Sequence, residues 1–185
     1  MTPDGYAIPF YFYHEFMLHN GFYSEATQMI NDELFQKFPS VREKRLKEFR
    51  KRIKDIGILP GWMLEKLRAM QDSFENGITL RARSSTNNED LQGFNGAGLY
   101  ESYSHYPDEG HFSKTAKQVW AGLWTYRAFE EREFWKIDHL TASMGILVHP
   151  NYKDELANGV GVTKNIYIPG PGWDGHYINV QKGDD

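Results

Sequence analysis

The chain has no cysteine, which removes disulfides and thiolate metal ligands and fits a reducing, cytoplasmic setting. It has no apolar run long enough to cross a bilayer, and its first residues, MTPDGY, carry neither the basic start nor the apolar stretch of a signal peptide. No membrane attachment is expected. Excess positive charge is missing too: a formal net charge of -4 gives no general attraction to nucleic acid or to an anionic surface. There is no internal repeat, low-complexity tract or heptad array. There is also no GxxxxGK[ST], so any phosphate site would not be of the P-loop kind.

What is present points to a globular chain with a real core. With 185 residues, 40% hydrophobic and 15% aromatic, the chain is long enough and apolar enough for one sizeable domain. The first 77 residues read as mainly helical. Pro9 opens a helix carrying Phe10, Phe12, Tyr13, Phe16 and Met17, and Asn20-Gly21 closes it with residues that tolerate a left-handed backbone. Ser24 starts the next helix. Ser40, with Glu43 three residues on, has the form of a capping box for a helix running to about Ile56. Pro60-Gly61 precedes another, with Met63, Leu64, Leu67, Met70 and Phe74 on one face and an end at Asn76-Gly77. From Ile78 onward the pattern changes to glycines and alternating apolar residues. Strands are expected near 78–83, 98–104, 143–149, 158–163 and 176–181, with a helix from about Ser113 to Lys136.

The stretch from Leu80 to Ser102, LRARSSTNNEDLQGFNGAGLYES, has the parts of a phosphate site. Arg83 ends a strand, and its guanidinium is a planar fork matched to phosphate oxygens. Ser84, Ser85 and Thr86 add hydroxyl donors. Gly93, Gly96 and Gly98 let backbone N–H groups approach an anion closely. The structural alternatives are an Arg83 paired with Glu89 or Asp90, and a hairpin whose glycines only satisfy turn geometry. Arg127 follows Trp120, Leu123 and Trp124 at helical spacing. Those aromatics read as core, and Arg127 either packs its stem beside them and pairs with Glu130 or Glu131, or reaches a ligand.

Other motifs carry less. Gly170 to Gly175 spells GxGxxG, but Pro171 and the strand-like YINV after it place it in a loop, whereas a dinucleotide fingerprint opens a helix. His14-Glu15 with His19 is one residue too long for HExxH, and a spacing of five turns the imidazoles apart. Eight basic residues stand between Arg42 and Lys54 against Glu43 and Glu48; a solvated helix face is the expected reading, with an anion- or RNA-binding helix as the alternative.

RSSTNNEDL followed by AGLYES resembles the RSSATxEDLP and FAGQYES signatures of the amino-terminal nucleotide-binding domain of phosphoenolpyruvate synthases and pyruvate phosphate dikinases. Further blocks fall in the same order: TPDGYAIP at the start, VWAGLWTYRA at Val119 to Ala128, MGILVHP at Met144 to Pro150, and ANGVGVTKN at Ala157 to Asn165. The resemblance implies an α/β (α+β) fold of partial ATP-grasp type, a helical part over 1–77 and a largely antiparallel, strand-rich part over 78–185. It implies ATP with Mg2+ as cofactors and Arg83, Gly98, Ser102 and Arg127 as nucleotide contacts. His149 stands where many relatives have a glutamine near the adenine or ribose, so it either preserves a hydrogen bond or marks a changed pocket. In such enzymes phosphoryl groups pass from ATP to a histidine on a mobile domain, and then to an acceptor such as pyruvate. The blocks here include neither that phosphohistidine domain nor the family's nucleotide-binding lysine and acidic metal ligands, and Asp184 and Asp185 are poor substitutes. The expectation is a piece of a larger phosphotransferase that does not catalyse alone. A catalytically inactive nucleotide-sensing or partner-binding module is the alternative, for which Asn87, Asn88 and His149 leave room.

Overall fold

The computed structural model describes residues 4–88, 98–151, 156–163 and 175–183. Two compact units are defined by their internal contacts, Met1–Asn151 and Tyr152–Asp185. Among the described residues the fold is a mixture of helix and antiparallel sheet.

The first unit begins with a short strand, β1 (Tyr6–Ile8), and a helix, α1 (Phe10–His19). Pro9 precedes the first turn in extended geometry, and the backbone leaves the helix through Asn20 into Gly21, at φ 68°. α2 (Phe22–Ile30) starts two residues earlier than Ser24. α3 (Glu33–Lys37) is capped by Asp32, whose carboxylate accepts from the N–H groups of Leu34 and Phe35. α4 (Pro39–Asp55) corrects the capping-box reading. Phe38 is the N-cap and Pro39 the first helical residue, so Ser40 lies inside the first turn. Proline at that position has its φ already set and lacks only an N–H that the helix would leave unpaired. α5 (Gly61–Asp72) follows, with Met63, Leu67 and Met70 buried.

Four strands form the sheet of this unit, in the order β1-β4-β2-β3, all antiparallel: β2 (Leu80–Thr86), β3 (Tyr103–His105) and β4 (Met144–Pro150) join β1. Between β3 and β4 the expected single helix is broken. α6 (Ser113–Ala121) passes into a 3-10 turn at Gly122–Trp124, and Thr125, extended at φ -65° and ψ 148°, caps a separate α7 (Tyr126–Trp135) by accepting from Ala128 N–H. A hydroxyl that satisfies an otherwise unpaired helix donor favours a new start at Thr125 over continuation. The second unit consists, in its described part, of an antiparallel pair, β5 (Ala157–Val162) and β6 (Tyr177–Lys182).

One hydrophobic cluster unites residues from both sides of Gly77: Tyr13, Phe16, Phe49 and Met63 pack with Ala82, Trp120, Trp124 and Ile146. Its aromatic members meet mostly edge to face. Phe22 and Phe49 lie 5.8 Å apart at 89°, and Phe49 and Trp124 4.9 Å apart at 89°, an arrangement worth about 0.5–1.5 kcal/mol per pair beyond burial. Trp124 Nε1 donates to the Tyr13 hydroxyl at 3.0 Å, so neither polar atom is left bare in the core. Burial pushes the Tyr13 phenol pKa far up.

A charged side chain is also enclosed. Arg132 is fully buried; its Nε donates to His139 Nδ1 at 3.0 Å and its Nη2 to the Leu123 carbonyl at 2.6 Å. His139 stacks on Phe129 at 3.7 Å between ring centroids, and its Nε2 lies 2.8 Å from Glu133 Oε1. Because Nδ1 accepts from the arginine, Nε2 carries the proton and donates to Glu133. Burial, and then the neighbouring Arg132 charge, hold His139 below the ordinary histidine value of 6.5, and burial does the same for His105 and His111.

For a lowered histidine the unfolded chain takes up the proton first, so stability is complete above 6.5 and declines as pH falls towards the folded value. Asp32 and Glu109 are also lowered, from 3.8 and 4.5, so they lose their contribution only in a more acidic window. Thermal denaturation followed from about pH 7 to about pH 5 should therefore show a falling Tm, with a shallower fall in His139→Gln. A Tm that is flat across that window would contradict the buried neutral histidine.

Candidate functional site

β2 supplies the backbone of the site. Its alternation buries Leu80, Ala82 and Thr86 and turns Arg81, Arg83 and Ser85 to the opposite face. β4 pairs with it over seven positions, Leu80↔Pro150 through Thr86↔Met144. That register sends Met144, Ile146 and Val148 into the core and leaves Leu147 and His149 beside the β2 arginines.

Arg83 stands opposite Leu147, and His149 lies two residues further along β4 on the same face. Diagonal neighbours of this kind are within reach of a long side chain. Arg83 Nε donates to His149 Nε2 at 2.9 Å, and His149 Nδ1 lies 2.7 Å from the Pro150 carbonyl. A carbonyl oxygen can only accept, so Nδ1 carries the proton and Nε2 offers the lone pair that Arg83 uses. Two residues with independent sequence signals are thus one hydrogen-bonded pair. Glu89 and Asp90, the other partners considered for Arg83, lie outside the described residues.

Ser102 immediately precedes Tyr103, whose partner on β2 is Ala82, so it lies one residue outside the observed β2–β3 pairing. Gly98 lies in a turn at φ 72° before the short β3, not within a strand starting at 98. The next residue, Leu99, is buried against Ala128 of α7. Gly98 and Arg127 therefore flank a single packing contact.

Arg127 itself departs from expectation. The break at Thr125 resets the helical phase, so Arg127 does not continue the buried stripe of Trp120, Leu123 and Trp124. It is exposed and has no hydrogen-bond or ion-pair partner among the described residues. Glu130, one candidate partner, instead pairs with Arg42 at 2.5 Å.

Sequence reasoning passed over Arg81. It shares the open face with Arg83, and its Nη1 donates to Ser104 Oγ at 3.0 Å. The Arg-x-Arg spacing on a strand was the available signal, since residues two apart share a face. Beside Arg83 a cavity of about 630 Å³ is lined by Ala7, Pro9, Phe10, Ser85 and Leu147 among others, within the size range of small-molecule sites. Gly145 is part of its wall, and a Cβ there would come within 3.1 Å of the Ile8 carbonyl oxygen and 3.3 Å of the Phe10 ring.

The remaining motifs do not converge on this face. His14 Nδ1 lies 3.1 Å from the Tyr23 hydroxyl, and among the described residues no group of three histidines, aspartates or glutamates is placed to hold a metal. Of the GxGxxG segment only Gly175 is described, and Asp184 and Asp185 are not. On α4, Arg42, Arg45 and Arg52 pair with Glu130, Asp32 and Glu25, which occupies basic side chains within the chain. Asn87 ties two loops together, donating to the Thr141 carbonyl and accepting from Ser143 N–H. No described helix is long and apolar enough to cross a membrane.

Residues 1–180 match the family described as pyruvate phosphate dikinase, AMP/ATP-binding domain, and the chain belongs to that family. It is 27% identical over 155 residues to a phosphoenolpyruvate synthase of Aeropyrum pernix, an alignment that covers 80% of this chain and 18% of the relative. The chain thus spans about a fifth of that relative's length.

Gly98 gives a direct check on the loop geometry. A Cβ there would touch nothing within 4 Å, so Gly98→Ala should lose only the left-handed backbone penalty, about 1–2 kcal/mol, as a lowered denaturation midpoint. An unchanged midpoint would mean that Gly98 is not held at positive φ.

Proposed function

We propose that this chain is the ATP-binding portion of a phosphotransferase of the phosphoenolpyruvate synthase and pyruvate phosphate dikinase kind, and that the open face of the β1-β4-β2-β3 sheet receives the nucleotide. The observation that carries the reading is the exposed Arg83, fixed at Nε by His149 and set beside a cavity large enough for a nucleotide. In this reading Arg83 takes phosphate oxygens through its remaining N–H groups. Ser102 and the backbone around Gly98 donate to the same phosphates, Arg127 adds charge from the start of α7, and His149 completes the face. The apolar wall formed by Phe10, Pro9 and Leu147 suits a purine ring.

Phosphoryl transfer asks a protein chiefly to position polyphosphate and to neutralise its charge as the transition state forms. Arg83 and Arg127 do that work in the proposal, while Ser102 and the Gly98 backbone orient the chain of phosphates. ATP suits these donors because they are cationic or neutral hydrogen-bond donors, and Arg83 among them lines the cavity. In this reading Mg2+ enters as the counter-ion of the bound triphosphate. We further propose that the parent protein is of ATP-grasp type, acts in the cytoplasm, and hands the phosphoryl group to a histidine on another domain and thence to a small acceptor such as pyruvate. The helical part over 1–77 then serves as the scaffold behind the β1-β4-β2-β3 sheet of the first unit.

An amide NMR titration with MgATP, run in parallel on Arg83→Ala, tests this reading. Saturable shifts along β2 and from Gly98 to Ser102, weakened at least tenfold in the variant, are expected from loss of a charge-assisted contact worth about 1.5–3 kcal/mol. Shifts confined to α4, or equal affinity in Arg83→Ala, would contradict it and favour a general anion site on the basic helix, whose binding would fall steeply with salt.

A further inference from the structure

We infer that His149 is a positioning residue: it acts on the nucleotide through Arg83, fixing which edge of the guanidinium is presented to phosphate. The inference rests on the ATP-binding reading above. A guanidinium can grip a phosphate by its side edge, Nε with one Nη, or by its end, Nη1 with Nη2. In this chain the side edge is closed, because Nε already donates to His149 Nε2 at 2.9 Å. Only the end fork remains, and neither Nη has a partner among the described residues. The imidazole is itself held, since its Nδ1 is committed to the Pro150 carbonyl at 2.7 Å and a ring flip would sacrifice both bonds. With both ring nitrogens engaged, the ring has no polar atom left for a base or ribose. A direct contact to the nucleotide is thereby replaced by a contact that aims Arg83.

The surroundings support that role. Arg81 is the register partner of His149 and is turned to Ser104 by its own bond at 3.0 Å, so it does not compete with Arg83 for the imidazole. Gly5 leaves the other flank open: a Cβ there would sit 3.5 Å from the His149 Cβ and 2.8 Å from the Val148 carbonyl oxygen. An exposed arginine without such an anchor would spread over many rotamers, and binding would have to gather them.

The test measures affinity for MgATP and for adenosine in the wild-type chain, His149→Gln, His149→Leu and Arg83→Lys, with a Tm for each. Glutamine supplies an amide oxygen that can accept from Arg83 Nε; leucine supplies no acceptor. His149→Leu should weaken MgATP about three- to tenfold, the span set by immobilising one long side chain, with adenosine unchanged and affinity restored in His149→Gln. In the Arg83→Lys background, His149→Leu should cost nothing further. Equal losses for MgATP and adenosine would assign His149 to direct contact with the nucleoside and overturn the inference, as would an unchanged MgATP affinity. If His149→Leu fails to fold, His149→Asn, whose amide is too short to reach Nε, takes its place with the same two outcomes. Failure of the wild-type chain to bind MgATP would bring down the ATP-binding reading itself, and this inference with it, before any variant is compared.

Discussion

The antiparallel register between β2 and β4 is the constraint on which everything else hangs. Its parity places Leu80, Ala82, Ile146 and Val148 in the core and Arg81, Arg83, Leu147 and His149 on the open face. A slip of one residue would exchange the two sets. It would bury two arginines without partners and expose aliphatic side chains that belong to the same core cluster as Trp120 and Tyr13. The core therefore enforces the register, and the register in turn assembles the face that we assign to the nucleotide. Stability and site geometry are two consequences of one alternation.

The helical side of the unit holds a second, more costly device. Arg132 joins the 3-10 turn at Leu123 to His139, while Phe129 stacks on the same imidazole. A buried guanidinium is tolerated only when its donors find acceptors. Here Nε and Nη2 find His139 and the Leu123 carbonyl, and the Tyr100 hydroxyl beside the guanidinium favours its charged form. Tyr100 and Leu99 pack against Ala128 and Ile137, so the segment that follows Gly98 is seated on α7 close to this buried charge. The position of the Gly98 turn thus depends on its packing against α7.

The sequence made some of this legible and concealed the rest for physical reasons. β2 and β4 were readable because period-two alternation and β-branched residues mark a half-buried strand. α1 was readable because Pro9 and Asn20-Gly21 punctuate its ends. β1 and α3, with three and five residues, are too short to show a period. A single helix over 113–136 would carry Arg127 onto the Trp120–Trp124 face, but the hydroxyl of Thr125, a local cap, breaks that phase. Arg83 and His149 each stood out by type, yet their bond could not be read, because 66 residues separate them and only the strand register brings them together. Arg132 gave no signal, since a charged residue on a helix is expected at the surface.

A crystal structure of this chain with bound ATP is the most direct test of a nucleotide site on the open face of the sheet. Phosphate oxygens should lie within hydrogen-bonding distance of Arg83 Nη1 and Nη2 on that face, with the Arg83 Nε to His149 bond intact. Nucleotide bound along α4 or elsewhere, with that face empty, would contradict it.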